Sequence, residues 1–277
     1  MEFPILSKHE FDFTENDFRV IQKLIYDYAG IALSDAKQNL VYTRLSRRLR
    51  ANNLRNFSAY LKYLASNKNE WQHFINALTT NLTSFFREPH HFPVLAEHIR
   101  KLNPDNPIVL WSCAASTGEE PYSMAMTMIE LFGSYSPPVR IVATDIDTQA
   151  LDNAKTGIYG REKADMLTEN QLRPFFLKGE GKYEGYIKIR EEVKEIVTFR
   201  QLNLLNDHWP VRGPFSAIFC RNVLIYQDRK TQISILHRFA PLLAPRGLLF
   251  VGHSENIILI SNLFKLHSRT VYELKQE

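Results

Sequence analysis

The sequence has 277 residues, 44% of them hydrophobic, with 34 Lys and Arg against 30 Asp and Glu for a net charge of +4. This balance excludes a disordered or collagen-like chain and leaves length for one large domain or two modest ones. No apolar run reaches the roughly 18 residues of a membrane helix, and an N-terminus bearing Glu2, Glu10 and Asp12 lacks the basic and apolar regions of a secretion signal, so a cytoplasmic protein is expected.

Phe18, Ile21, Leu24, Ile25 and Tyr28 recur at helical spacing after Thr14, which suits an N-cap, and Gly30 stops the helix. A second helix is expected from Ser34 or Asp35 to about Asn52, with Val41, Leu45 and Leu49 on one stripe. Ser58 to Leu64 and Trp71 to Leu78 fit two more. Between Ala36 and Asn69 stand eight basic residues and no acidic one, enough to account for more than the whole excess charge. Arg44, Arg47, Arg48 and Arg50 fall within an arc of roughly 160° on the second helix. Such a face is either simply solvated or a docking surface for an acidic partner; the lack of interleaved acids, which ordinary exposed helices use for i, i+4 support, speaks for docking.

Beyond Pro107 the pattern alternates strand and helix, the mark of an α/β domain with a largely parallel sheet. Ile108 to Trp111 reads as a strand, followed by the small-residue loop Ser112 to Gly118, a helix from Glu119 to Leu131 with Pro121 in its first turn, and a strand from Val139 to Thr144 that closes on Asp145. A helix from Thr148 to Lys155 follows. The stretch from about Gly160 to Val197 breaks the alternation and reads as a small antiparallel insertion, with short strands at Tyr186 to Arg190 and Ile196 to Arg200. The main sheet resumes at Phe215 to Phe219, then a helix from Arg229 to Leu243 and strands at Gly247 to Val251 and Val271 to Leu274.

A small-residue loop after the first strand allows close approach of backbone to ligand, and an acid at the tip of the second can accept both hydroxyls of a ribose, so a nucleoside-containing ligand is expected. The loop has neither the Gly-Lys-Ser/Thr of a triphosphate cradle nor Gly-x-Gly-x-x-Gly. Glu119 and Glu120 disfavour a pyrophosphate at the helix start and fit a cationic ligand such as S-adenosylmethionine, unless they only complement the helix dipole. Cys113 and Cys220 are too few for a disulfide framework or a four-thiolate site and are expected to be free, Cys220 as a small buried hydrophobe. His90, His91 and His253 have no carboxylate partner at evident ligand spacing, and no metal is expected.

Four stretches carry a resemblance: Asn76-Ala-Leu-Thr-Thr-Asn-Leu-Thr-Ser-Phe-Phe-Arg-Glu88, Ser116-Thr-Gly-Glu-Glu-Pro-Tyr-Ser123, Phe219-Cys-Arg-Asn-Val-Leu-Ile-Tyr226 and Gly252-His-Ser-Glu255. In this order they resemble the chemotaxis-receptor glutamate O-methyltransferases, the CheR family, over nearly the whole chain. Four long motifs in register are far more specific than a lone glycine pattern. The chain departs from many members in having Ala115, not Cys, before Ser-Thr-Gly.

The resemblance implies an all-helical N-terminal domain over 1–80, a linker over 81–100 that contributes to the cofactor site, and a Rossmann-like α/β methyltransferase domain over 101–277 with the inserted β-subdomain at about 160–197. It implies S-adenosylmethionine as methyl donor, with S-adenosylhomocysteine as product, and the glutamate-rich helical bundle of membrane-bound chemoreceptors as substrate, in chemotactic adaptation. Asn81, Thr83, Arg87, Glu120, Asp145, Asn203, Leu204, Arg221 and Asn222 are the implied cofactor contacts, and Arg87 and Tyr226 the residues implied to face the reacting centre. Arg44, Arg47, Arg48 and Arg50 would then dock the substrate, and a receptor's C-terminal tail is a second candidate partner, at the β-subdomain. A monomer that neither enters the membrane nor binds nucleic acid is expected. The competing classes are a nucleic-acid methyltransferase, against which the short basic run without stacking aromatics speaks, and a noncatalytic cofactor-binding signalling module.

Overall fold

Thr14 opens the first helix with a capping box: its side chain accepts from the Asp17 N–H while the Asp17 carboxylate accepts from the Thr14 N–H. In the computed structural model, which describes residues 10–102 and 107–275, the chain divides into two units, 1–80 and 81–277. Residues 1–9, 103–106 and 276–277, which fall inside the expected domains, lie outside the described residues.

The first unit is helical: α1 (Glu15–Ala29), α2 (Gln38–Ala51), α3 (Phe57–Ser66) and α4 (Lys68–Leu78). Gly30 ends α1 in the left-handed region at φ 68°, as a C-cap glycine should. A 3₁₀ turn, Asp35–Lys37, precedes α2, so the second helix starts later than its periodicity suggests. Phe18, Ile21 and Ile25 of α1, Val41, Leu45 and Leu49 of α2, Phe57, Tyr60 and Leu64 of α3, and Phe74, Ile75 and Leu78 of α4 are its buried apolar positions.

The second unit opens with α5 (His91–Arg100), a helix lying where the sequence suggested only a linker. It continues through β1 (Ile108–Ser112), α6 (Glu119–Phe132), β2 (Val139–Asp145), α7 (Thr148–Thr156), β3 (Ile158–Gly160), α8 (Glu169–Leu172), β4 (Phe176–Lys178), β5 (Tyr186–Ile189), α9 (Glu191–Lys194) and β6 (Val197–Gln201). β7 (Phe215–Cys220), α10 (Arg229–Phe239), β8 (Leu243–Val251), β9 (Phe264–Ser268) and β10 (Val271–Leu274) complete it.

Seven strands form one sheet in the order β6-β2-β1-β7-β8-β10-β9, the first five parallel and β10 antiparallel to both neighbours. β3, β5 and β4 form a separate antiparallel sheet between α7 and α9. One expectation is corrected here. Val197–Gln201 does not belong to the insertion but pairs in parallel with β2 as the edge of the main sheet. Strand pairing is a long-range choice, and a run of five residues does not encode its partner.

One face of the main sheet packs Leu110, Ala143, Phe219 and Phe250 against α5 and α6 through Leu95, Ile99, Met124 and Met128. The other packs Trp111, Ile218, Leu249 and Tyr272 with Leu236 and Phe239 of α10. Cys113 and Cys220 belong to this second cluster as buried free thiols, and burial raises both thiol pKa values.

Candidate active site

The order of the main sheet reverses between β1 and β7, since the chain runs outward from β1 through β2 to β6 on one side and from β7 through β8 on the other. Loops leaving the carboxyl ends of adjacent strands at such a point diverge and leave a crevice, the usual ligand site of an open α/β sheet. Four of the strand ends carry the expected polar residues: Ser112 to Gly118 after β1, Asp145 closing β2, Asn203 after β6, and Arg221 and Asn222 after β7.

The loop after β1 turns twice through positive φ, at Ser116 (49°) and Gly118 (98°). A Cβ on Gly118 would lie 2.8 Å from the Ala154 Cβ and 2.9 Å from the Tyr159 hydroxyl, so glycine is demanded both by conformation and by space. The insertion braces this loop: Tyr159 donates to the Thr117 carbonyl at 2.7 Å, and Lys163 Nζ lies 3.2 Å from Glu119 Oε1 while donating to the Thr83 carbonyl at 3.1 Å.

Asp145 is buried, and its two oxygens accept the backbone N–H groups of Asp147 (2.9 Å) and Ser116 (2.7 Å). Burial, only partly opposed by those donors, pushes its pKa up to about 6. Beside it the Ser116 hydroxyl oxygen is buried without a hydrogen-bond partner. Asn81 donates to Asp147 Oδ2 at 2.7 Å, while Asp147 Oδ1 caps α7 at Ala150. Asn203 accepts the Leu205 N–H, and the buried Leu204 gives its carbonyl to Trp209 and Arg238.

A second cluster surrounds Arg221, which is 5% exposed. Its guanidinium reaches Glu120 Oε2 at 2.9 Å, the Arg87 carbonyl, and Glu88 Oε2 at 3.5 Å. Ser112 donates to the other Glu120 oxygen at 2.7 Å. Burial raises the Glu120 pKa against the pull of Arg221 and Ser112. In Glu88 the balance is reversed: burial acts upward, but Arg221 and the His253 N–H prevail and lower the pKa. Arg221 thus ties the first family motif to the second and third.

Arg87 and Tyr226 are placed differently. Arg87 Nη1 donates to the Leu82 carbonyl at 2.8 Å. Tyr226 lies not at the end of a strand, as its apolar run suggests, but in a 3₁₀ turn, Leu224–Tyr226. It is 37% exposed, and its hydroxyl has no hydrogen-bond partner among the described residues.

The fold also supplies a carboxylate that spacing alone did not: Glu88, His90 and His253 bring one ligand-type atom each to within 4.8 Å of one another. Two guanidiniums compete for the same groups. Arg221 Nη2 lies 3.5 Å from Glu88 Oε2, and Arg269 Nη2 lies 3.4 Å from His253 Nε2, so Glu88 and His253 each also have a guanidinium within reach.

In the first unit, three of the four arginines singled out on α2 have partners within the unit. Arg44 donates to the Leu78 and Thr79 carbonyls at the end of α4, Arg48 pairs with Glu70, and Arg50 with Glu10. Arg47 is exposed and has none among the described residues. Glu70 stands one residue beyond the acid-free window, and Glu10 lies well before it.

The crevice gathers groups that can hold a nucleoside with a cationic tail: the buried Asp145 carboxylate, the buried Glu120 carboxylate and a Ser116 hydroxyl without a partner among the described residues. Comparison with known proteins gives the family. A family model described as the CheR methyltransferase, SAM binding domain, matches residues 81–272, and one described as the CheR methyltransferase, all-alpha domain, matches residues 16–79. The chain is 48% identical over 270 residues to chemotaxis protein methyltransferase 2 of Pseudomonas aeruginosa, covering 97% of this chain and 96% of that one. It is 51% identical over 262 residues to the chemotaxis protein methyltransferase of Escherichia coli, covering 94% and 91% of the two chains. None of the described helices is long and apolar enough to cross a membrane.

Proposed function

The chain belongs to the CheR methyltransferases, and from that premise we propose that it transfers a methyl group from S-adenosylmethionine to glutamate side chains in the helical methylation region of chemoreceptors, in the cytoplasm. The products are a glutamate methyl ester and S-adenosylhomocysteine. The observation that carries the reading is the crevice at the β1/β7 reversal, where the buried Asp145 accepts the Ser116 N–H of the small-residue loop and the Ser116 hydroxyl has no partner among the described residues.

The residues we assign to holding the donor are Asn81, Thr83, Arg87, Glu120, Asp145, Asn203, Leu204, Arg221 and Asn222. Asp145 suits ribose hydroxyls, and Glu120 suits the cationic amino acid end. When bound, the sulfonium supplies an electrophilic methyl group. A glutamate, with an ordinary pKa of about 4.3, is already ionised at neutral pH, so the chain need not remove a proton from it. Its task is to orient and partly desolvate the carboxylate. The free Tyr226 hydroxyl can donate one hydrogen bond, and Arg87 can offer a fork once it releases the Leu82 carbonyl. Neither grip should be too tight, because holding the ground state harder than the transition state slows transfer.

Arg47 is our candidate for steering the acidic substrate, since Arg44, Arg48 and Arg50 are engaged within their own unit. The antiparallel insertion, whose outer strands β3 and β4 each pair on one side only, offers a second contact for an extended receptor tail.

The test is incubation of the protein with methyl-labelled donor and receptor fragments bearing or lacking the methylation glutamates. Base-labile label released as methanol from the glutamate-bearing fragments alone is expected. Label in RNA, or in no substrate, would overturn the reading.

A further inference from the structure

In the motif Gly252-His-Ser-Glu255, His253 joins the cluster around Glu88, and Glu255 takes no part in it. Glu255 is 5% exposed, and no cation pairs with it among the described residues. Its carboxylate is instead wrapped by backbone. Oε1 accepts the N–H groups of Val223 (2.9 Å), Leu224 (2.8 Å) and Ile225 (3.3 Å), and Oε2 accepts those of Asn222 (2.9 Å) and Gly252 (2.6 Å).

Four successive N–H groups of one loop therefore converge on a single side chain. A loop leaving a strand has no ladder partner for those donors, and burying them unpaired would be costly. An ionised carboxylate is suited to collecting them, because its two oxygens offer about four lone-pair sites and each bond is charge-assisted. The loop bends to allow it: Asn222 sits at φ 58°. The motif's glycine is explained as well, since a Cβ on Gly252 would lie 2.4 Å from Asn222 Nδ2 and 2.9 Å from Glu255 Oε2. From the same loop Asn222 Nδ2 reaches Glu88 Oε1 at 3.4 Å, which also receives the His253 N–H at 3.2 Å.

We propose that Glu255 is a positioning residue for methyl transfer: its carboxylate gathers the backbone of residues 222–225 and so fixes where Arg221, Asn222 and Tyr226 stand beyond the carboxyl end of β7. The inference rests on the reading that this loop serves the transfer. It assigns the motif a role that does not involve touching donor or acceptor.

Glu255→Gln is the direct test, because the amide keeps the shape but has one acceptor oxygen and turns an NH₂ toward N–H groups. The measurements are thermal unfolding, kcat and KM for receptor methylation well below the melting temperature, and amide exchange. The E255Q chain is expected to unfold cooperatively, to lose about tenfold or more in kcat with the receptor KM changed by less than about threefold, and to exchange the amides of 222–225 faster while those of β7 are unchanged. Adding Tyr226→Phe should then cost less than about twofold further, because the hydroxyl is already misplaced. A folded E255Q chain with near-wild-type kcat, or losses that simply multiply, overturns the proposal. Should E255Q not fold, Glu255→Asp keeps the charge and withdraws it by one methylene, and the same outcomes decide. A wild-type chain that methylates no receptor glutamate would sink the functional reading alone; the exchange of 222–225 would still decide the positioning claim, with unchanged exchange in E255Q overturning it.

Discussion

Arg48 holds the Glu70 carboxylate by two parallel hydrogen bonds, Nε to Oε1 at 2.8 Å and Nη2 to Oε2 at 2.7 Å, with the Tyr60 hydroxyl adding a third at 3.0 Å. Glu70 is 3% exposed, so the pair joins α2 to α4 inside the helical unit. Removing one partner strands the other charge in a poorly hydrated place. Arg48→Met is expected to lower unfolding stability by about 3 kcal/mol, as removal of one member of a buried pair commonly does. Urea denaturation checks it, and Arg48→Met with Glu70→Leu together should recover part of the loss.

Arg47 differs from Arg44, Arg48 and Arg50 in being exposed with no partner among the described residues. Arg47→Glu should leave the melting temperature and the affinity for S-adenosylhomocysteine within experimental error. It should raise the apparent receptor KM about fivefold at low salt, with the difference shrinking as ionic strength rises. An unchanged KM at low salt would remove Arg47 from the docking surface. Reversing Arg48 as well would confuse the result, because that change breaks the unit itself.

Gly118 turns the loop after β1 at φ 98° against Ala154 and Tyr159. Gly118→Ala puts a Cβ into a conformation that side chains rarely adopt and into occupied space. The cost should be at least about 1–2 kcal/mol of stability, and a displaced loop should weaken S-adenosylhomocysteine binding about tenfold or more. Calorimetric titration together with thermal unfolding reads both; full affinity in the variant would show that the loop does not need this geometry.

His91 lies fully buried in α5 with Nε2 2.7 Å from the Thr270 hydroxyl, and burial together with the nearby Arg221 depresses its pKa from 6.5 to about 2. The unfolded chain therefore takes up this proton near pH 6.5, long before the folded one does. The stabilisation is whole above pH 6.5 and declines as pH falls below it, by at most about 1.4 kcal/mol per pH unit. His98, depressed chiefly by burial, acts with the same sign. Stability should therefore drop between pH 6.5 and 5, and His91→Phe should flatten that slope even if it shifts the absolute level. A slope unchanged by the substitution would mean that His91 is not the responsible group.

Local signals were legible in the chain wherever neighbours in sequence decide the outcome. Thr14 and Gly30 bracket α1 through capping and left-handed backbone, which need only a few adjacent residues. The same holds for the loop between β1 and α6, whose small residues, with Pro121 in the turn after them, mark where the strand stops and the helix starts. α5 is not evident in the sequence because it follows directly on the Asn81 to Glu88 motif, whose polar, aromatic and proline-adjacent residues hide the start of a helix. The sheet that Val197–Gln201 joins is not evident either, because its five residues carry no record of whether β2 or β5 is their partner.

The sequence by itself determined the composition of the site: which acids, amides and arginines stand at the strand ends, and that a basic run marks α2. Only the tertiary structure decided which of them remain available. It spends Arg44, Arg48 and Arg50 on partners beyond the acid-free window, buries Arg221 between Glu88 and Glu120, leaves the Tyr226 hydroxyl without a partner among the described residues, and turns Glu255 inward to collect backbone N–H groups. The physical reason is that periodicity and capping act over a turn or two of chain, whereas ion pairs and buried carboxylates are settled by groups that folding brings together from far along the chain, 22 positions for Arg48 and Glu70 and 101 for Arg221 and Glu120.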